Sequence, residues 1–263
     1  MQTKKTRTNR KTKVIVVINR KGGPGKTTIS FNLAHAGIEN ERSRVLCLDL
    51  DSQGNLSQYL TDDLEIVRET SGGVSDLFDG VPLAPRKTSH PQIDLLHGHS
   101  DLDRVDHDEA AEERAYSPEM RALLRSLDYD VIIIDTPPAV GLRHLASLAW
   151  ADLAVIPMEP SMTHIAGFQE VVRNIDDSIL SLNPNLQWVG LVNRANLRLK
   201  AQREKDAWLR DMYGAKILPT LSSRGAVAEA IEESPAKPVW AHRGAPRDLR
   251  AQWREVCTKI VGK

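Results

Sequence analysis

Apolar residues in this chain gather into short, dense runs separated by longer stretches of mixed polarity. Val14 to Ile18 is an unbroken β-branched run, and further apolar runs lie at Val45 to Leu48, Ile93 to Leu96, Val131 to Ile134, Leu153 to Ile156, Trp188 to Val192 and Ile217 to Leu218. A strand apolar at every position is covered on both faces, whereas a half-wet strand alternates. Helical segments are predicted between most of these strands, beginning with one from about Lys26 to Asn40. Strands alternating with helices argue for a parallel sheet, because each parallel connection needs a crossover. The predicted class is therefore α/β, three layers deep, with a mostly parallel sheet and helices on both faces. Thr61 to Pro91, with Gly72, Gly73, Pro82 and Pro85, reads as loop and short helix.

With 263 residues the chain can bury one substantial core, so residues 13–263 read as a single domain. Residues 1–12 read as a disordered basic arm: through Lys13 the chain carries Lys4, Lys5, Arg7, Arg10, Lys11 and Lys13 and no acid. That start lacks the apolar stretch of a secretory signal, and no apolar run approaches the roughly 18 residues needed to cross a bilayer, so a cytoplasmic protein is expected. Cys47 and Cys257 form no CxxC pair and read as reduced core thiols. Net charge is zero, but it cancels between unlike segments. Tyr59 to Glu113 holds 4 Lys and Arg against 14 Asp and Glu, and its acidic run from Asp101 to Glu113 is expected to be a solvated face. Gly190 to Lys263 holds 15 basic against 8 acidic residues, a surplus able to face a polyanion.

Chemistry enters at Lys21-Gly22-Gly23-Pro24-Gly25-Lys26-Thr27-Thr28, which follows a buried strand and opens a helix. Glycines let backbone N–H groups turn toward phosphates, and the helix N-terminus adds positive potential there. Lys26 would neutralise the β- and γ-phosphates of a nucleotide, and the Thr27 hydroxyl would ligate Mg²⁺. Arg20 stands where the standard phosphate-loop pattern has glycine, and Lys21 adds a second lysine inside the loop. Asp49 and Asp51 end one strand and Asp135 ends another, and ligands of open parallel sheets bind beyond strand C-termini. A glycine turn without ligand, a surface lysine at Lys21, and capping or turn roles for the carboxylates are the blander readings. His97 and His99 flank Gly98, but two histidines without a third ligand do not make a metal site.

Together, KGGPGKTT, then LDLDSQGN at Leu48 to Asn55, then IIIDTPP at Ile132 to Pro138 resemble the ParA/MinD family of deviant Walker A P-loop ATPases. Order and spacing match, and the likeness extends weakly through the C-terminal third. The resemblance implies a P-loop NTPase fold, ATP and Mg²⁺ as cofactors, slow ATP hydrolysis stimulated by a partner, and an ATP-sandwich homodimer in which Lys21 reaches the partner's phosphates. It assigns Asp51 to orienting the attacking water, Asp49 to the neighbourhood of the metal, and Asp135 to holding Mg²⁺ through water, with Thr136-Pro137-Pro138 as second switch. The family commonly has proline where Ser52 stands. Asn193 resembles the adenine-contacting position, with Pro219 its neighbour, although Asn also commonly closes strands into turns.

Members of such a family differ in what their two states bind. Cluster carriers need bridging cysteines that this chain does not offer. Membrane cycling of the MinD kind needs an amphipathic terminal helix, and Pro246 to Ile260 places Leu249, Trp253, Val256 and Ile260 on one face, a pattern equally suited to packing on the sheet. The ParA branch is expected: an ATP dimer on nonspecific double-stranded DNA, nucleoid-associated, released when a ParB-like centromere-binding protein triggers hydrolysis, with no stable membrane association. Arg194, Arg198, Lys200, Arg203, Lys205 and Arg224 lie in segments resembling ParA DNA-contact regions. Positioning of another cargo is the neighbouring alternative.

Overall fold

The computed structural model describes residues 11–38 and 43–262. Among these residues seven strands form one sheet: β1 (Lys13–Val17), β2 (Val45–Asp49), β3 (Arg86–Lys87), β4 (Ile93–Leu96), β5 (Val131–Asp135), β6 (Leu153–Met158) and β7 (Gln187–Val192), in the order β3-β4-β2-β5-β1-β6-β7. Every pairing is parallel except the short antiparallel one between β3 and β4. Alternate residues of the same strand feed different cores. Val14, Val16 and Ile18 pack on one side with Ile132 and Ile134, while Ile15 and Val17 pack on the other with Val131 and Ile133. This two-sided burial is why those strands are apolar at every position.

Two expected elements differ. Ile217 makes only an isolated bridge to Gly190 instead of a strand with Leu218, and Pro219, which has no N–H, follows at once and cannot extend the ladder. Within the stretch read as loop and short helix, β3 pairs at the sheet edge; it is two residues long and polar, so hydrophobic patterning gave no sign of it. Its Lys87 ammonium joins the Arg44 guanidinium and the Tyr129 hydroxyl on the buried Asp94 carboxylate, at 2.8, 2.7 and 2.8 Å.

The helix after β1 spans Lys26–Ala36 and closes at Gly37; the rest of its predicted range runs into residues 39–42, outside the described residues. Residues 1–10 of the basic arm also lie outside them. Thr12 belongs to the folded body: it is buried, and its hydroxyl donates to the Tyr129 carbonyl at 2.8 Å. In the acidic run most carboxylates are exposed, as expected, but the segment is also anchored. Leu102, Val105 and Ala111 enter the core, and Asp106 turns inward to Arg143 because that buried guanidinium needs a counter-charge.

The final helix, Arg247–Val261, buries Leu249, Trp253, Val256, Cys257 and Ile260 in the core layer that contains Phe31 and Leu33 of the helix Lys26–Ala36. The Lys13 ammonium donates to the Ile260 and Val261 carbonyls at 2.8 and 3.1 Å, satisfying groups that a helix C-terminus leaves unpaired. Among the described residues no helix is long and apolar enough to cross a membrane.

Candidate nucleotide site

β1 delivers the chain into the loop Asn19 to Gly25 at the C-terminal edge of the sheet. Gly23 and Gly25 have φ of +94° and +88°, a left-handed conformation that favours glycine, and a Cβ on Gly25 would lie 2.6 Å from the Asn193 amide nitrogen. The loop carbonyls are tied back from outside. Asn193 donates to Pro24 O at 2.8 Å, Arg194 to Gly23 O at 2.7 Å, and His164 Nε2 lies 3.3 Å from Gly22 O. Asn19 donates to Pro157 O at 2.6 Å and accepts from the Lys21 N–H at 3.0 Å. Three successive loop carbonyls are thus engaged by side chains from other segments, and Lys26 supplies the positive charge that suits the loop to an anion. Lys26 is buried, its ammonium 3.4 Å from Lys21 O; burial lowers its pKa, while Asp135 and Asp51 act in the opposite sense. Lys21 points to solvent at the rim.

Beneath the loop, Asp49 and Asp135 are register partners on β2 and β5. Asp135 accepts from the Thr27 hydroxyl on one oxygen and from the Ser30 hydroxyl on the other, both at 2.8 Å. Asp49 accepts from Ser57 twice, at 2.8 Å from the N–H and 2.6 Å from the hydroxyl. Burial raises the pKa of both carboxyls; Asp135 adds to the rise at Asp49, and the hydroxyl donors oppose it at each. Two ionised carboxylates side by side are costly in a dry site, and a divalent cation would relieve that cost. The donor set, Thr27 and Asp135 with Asp49 beside them, fits an oxygen-loving metal such as Mg²⁺. Asp51, half-exposed, lies two residues beyond Asp49 in a tight turn, its carboxylate accepting from the Gln53 N–H at 3.0 Å.

A family model described as AAA domain matches residues 12–188. The chromosome-partitioning ATPase Soj of Thermus thermophilus is 31% identical over 256 residues, covering 93% of this chain and 98% of Soj. The chain belongs to the ParA/MinD family of P-loop ATPases. Solved structures agree on the fold. An ATP complex of Cyanothece McdA has a TM-score of 0.79 at 20% identity, covering 97% of this chain and 98% of McdA. The Mg-ADP complex of MinD from Pyrococcus horikoshii has 0.72 at 22% identity, covering 95% and 96%.

Within this ParA/MinD ATPase, the structure brings Lys21, Lys26, Thr27, Asp49, Asp51 and Asp135 to one edge of the sheet. Asn193 reaches the same loop, though its amide is engaged by Pro24. Pro219, half-buried, follows the bridge to β7. Arg194, at φ +53°, is at the phosphate loop, donating to Gly23 O. Arg198 and Arg224 line one surface cavity of about 480 Å³ with Asn196, Ser222 and Ser223. Lys200 is exposed at the start of the helix Lys200–Tyr213, and Arg203 donates to Leu197 O at 3.1 Å.

Sequence reasoning passed over Ser30, Ser57, Asn19, His164 and Arg143. Ser30 was within reach, since it sits three positions after Thr27 on the same helical face. Asn19 and Ser57 stand near the residues they support but at no spacing that marks them, while His164 and Arg143 act from segments far away in sequence.

Proposed function

We propose that this family member is a ParA-type DNA-partition ATPase, whose Mg-ATP-bound homodimer holds nonspecific double-stranded DNA until hydrolysis releases it. ATP is cradled by Gly22, Gly23, Pro24, Gly25 and Thr28, with Lys26 neutralising the β- and γ-phosphates and Lys21, free at the rim, reaching those of the partner protomer. Mg²⁺ held by Thr27 and Asp135, with Asp49 beside them, supplies charge neutralisation on the transferring phosphoryl group. Asp51 orients the attacking water, and Asn193 with Pro219 borders the adenine. A ParB-like centromere-binding protein accelerates a slow basal turnover, and the ATP form resides on the nucleoid in the cytoplasm.

The observation that carries the DNA reading is the placement of Arg198 and Arg224 on one cavity, with Lys200 exposed on an adjoining segment. Membrane cycling has the weaker support, because the only terminal amphipathic helix among the described residues has its apolar face in the core, with Trp253 1% exposed. Pulling Trp253 out to meet lipid would cost about 3–5 kcal/mol in lost packing. The two readings separate in one assay. With Mg-ATP at about 100 mM salt the protein should be retained on random-sequence duplex DNA and not co-sediment with anionic vesicles. Vesicle binding without DNA retention overturns this proposal and leaves the ATPase assignment intact.

A further inference from the structure

Arg143 is 2% exposed, and every donor it uses is aimed at one junction. It lies in the first turn of the helix Leu142–Trp150, just beyond the Thr136-Pro137-Pro138 segment that follows Asp135. Its Nη1 donates to the Leu50 carbonyl at 3.0 Å, and its Nε and Nη2 donate to Asp106 Oδ2 at 3.1 and 2.7 Å. The same Nη2 reaches Asp103 Oδ1 at 2.7 Å, and the Arg143 N–H donates to Asp106 Oδ1 at 3.0 Å. Leu50 is the residue before Asp51, and its own N–H donates to the Asp135 carbonyl at 2.9 Å. The peptide leading into Asp51 is thus held at both ends by the segment that begins at Asp135. On the other side of Asp51, Ser52 neighbours Asp103, whose carboxyl is held below the usual range, against its partial burial, by Ser52 and Arg143.

A buried ion cluster is a poor device for stability alone, because desolvating a guanidinium offsets most of what its partners return, and apolar packing serves as well. What apolar packing cannot do is grip a particular carbonyl in a fixed orientation. We propose that Arg143 is a positioning residue for hydrolysis: with Asp103 and Asp106 it ties the second switch to the Leu50-Asp51-Ser52 turn, fixing the Asp51 carboxylate that orients the water. The inference rests on the role proposed for Asp51. Displacement of the segment 137–142 passes to Asp51 through one side chain, without going through the nucleotide.

Asp103→Asn and Ser52→Ala test this without removing a core residue, since the Asp103 side chain is 67% exposed. Phosphate release by the full chain should show kcat reduced about tenfold in each, since small misplacement of a catalytic group is costly. KM for ATP should stay within about twofold, because the phosphate loop is untouched. Arg143→Lys, which keeps the charge and loses the fork, should show the same split. Asp101→Asn, which breaks only a surface pair with Arg104, should behave as the parent. In an Asp51→Ala background, Asp103→Asn should add nothing, a non-additivity that a general loss of stability does not produce. Unchanged kcat in both Asp103→Asn and Ser52→Ala, with Asp51→Ala inactive, overturns the tether alone. Parental turnover in Asp51→Ala overturns the Asp51 assignment and the tether with it.

Discussion

The candidate nucleotide site and the basic surface around Arg198 and Arg224 are both proposed to meet anions with cations, yet they are built in opposite ways. At the nucleotide site the central charges are buried and held: Lys26 is 7% exposed, and Asp135 has a hydroxyl donor on each oxygen. At the basic surface the charges are loose. Lys200 faces Glu204 at 3.7 Å with both side chains in solvent, and Arg224 stands 4.0 Å from Asp248. Pairs like these contribute little individually. A preorganised site concentrates function in single residues, whereas a solvated surface spreads it over many phosphate contacts. Substitutions should therefore act in a graded order.

The largest effect belongs to Lys26→Ala. No backbone dipole replaces a full buried charge beside two phosphates, so affinity for Mg-ATP should fall by about 100-fold or more and the ATP-dependent dimer should vanish. Light scattering with and without Mg-ATP reads this directly; a dimer as abundant as the parent's would remove Lys26 from the site. Asp51→Ala comes next and should split binding from chemistry. With Lys26, Thr27 and Asp135 untouched, the ATP dimer should persist while turnover falls by about 100-fold. Lys21→Ala is the informative contrast, expected to weaken dimer and turnover together.

The basic surface should respond more gently. Replacing Arg198, Lys200 and Arg224 together by Ala should reduce affinity for random duplex DNA about tenfold at moderate salt and flatten the salt dependence by a slope of about one per lost contact. Dimerisation with Mg-ATP should be unaffected. An unchanged slope would move the DNA surface elsewhere. A single one of these substitutions should be hard to distinguish from the parent, in contrast to Lys26→Ala.

The same contrast governs what the sequence made legible. Six strands and the phosphate loop were readable because two-sided burial forces β-branched runs and because a glycine-lysine turn between a buried strand and a helix has few other uses. Ile217 was over-read because a short apolar pair resembles a strand until Pro219 is weighed. β3 was missed because an edge strand of Arg86 and Lys87 buries almost nothing. Asp49, Asp51 and Asp135 stood out by ending apolar runs. Their supports Ser57 and Arg143 did not, since a hydroxyl or guanidinium aimed at a carboxylate 8 or 37 positions away in the chain leaves no periodic trace. Arg143 illustrates the limit: in sequence it is one cation in a helix, and only the fold shows that it faces Leu50, Asp103 and Asp106 from within the core.

A last effect concerns the stress inside the nucleotide site, and it is read in stability instead of activity. Asp49 is fully buried beside Asp135, and burial first, then the neighbouring charge, raise its pKa despite the two hydrogen bonds from Ser57. An unfolded aspartate titrates near 3.9, so above about pH 4 the folded nucleotide-free protein binds more protons at this site than the unfolded chain does. Stability contributed by the site therefore falls as pH rises through that window, and it levels off above the raised native value. Asn at position 49 cannot ionise. The difference in unfolding free energy between Asp49→Asn and the parent should thus shift toward the variant from pH 5 to pH 8, by about 1–3 kcal/mol, since each tenfold change in a proton-binding constant is worth roughly 1.4 kcal/mol. Urea unfolding of the nucleotide-free proteins across this range measures it, whatever constant offset the altered bonds to Ser57 introduce. Mg-ATP should shrink the drift, because a cation beside Asp135 favours the ionised forms. A difference independent of pH would mean that the two carboxylates sit together without strain, and the physical reason for placing the metal between Thr27, Asp135 and Asp49 would be lost.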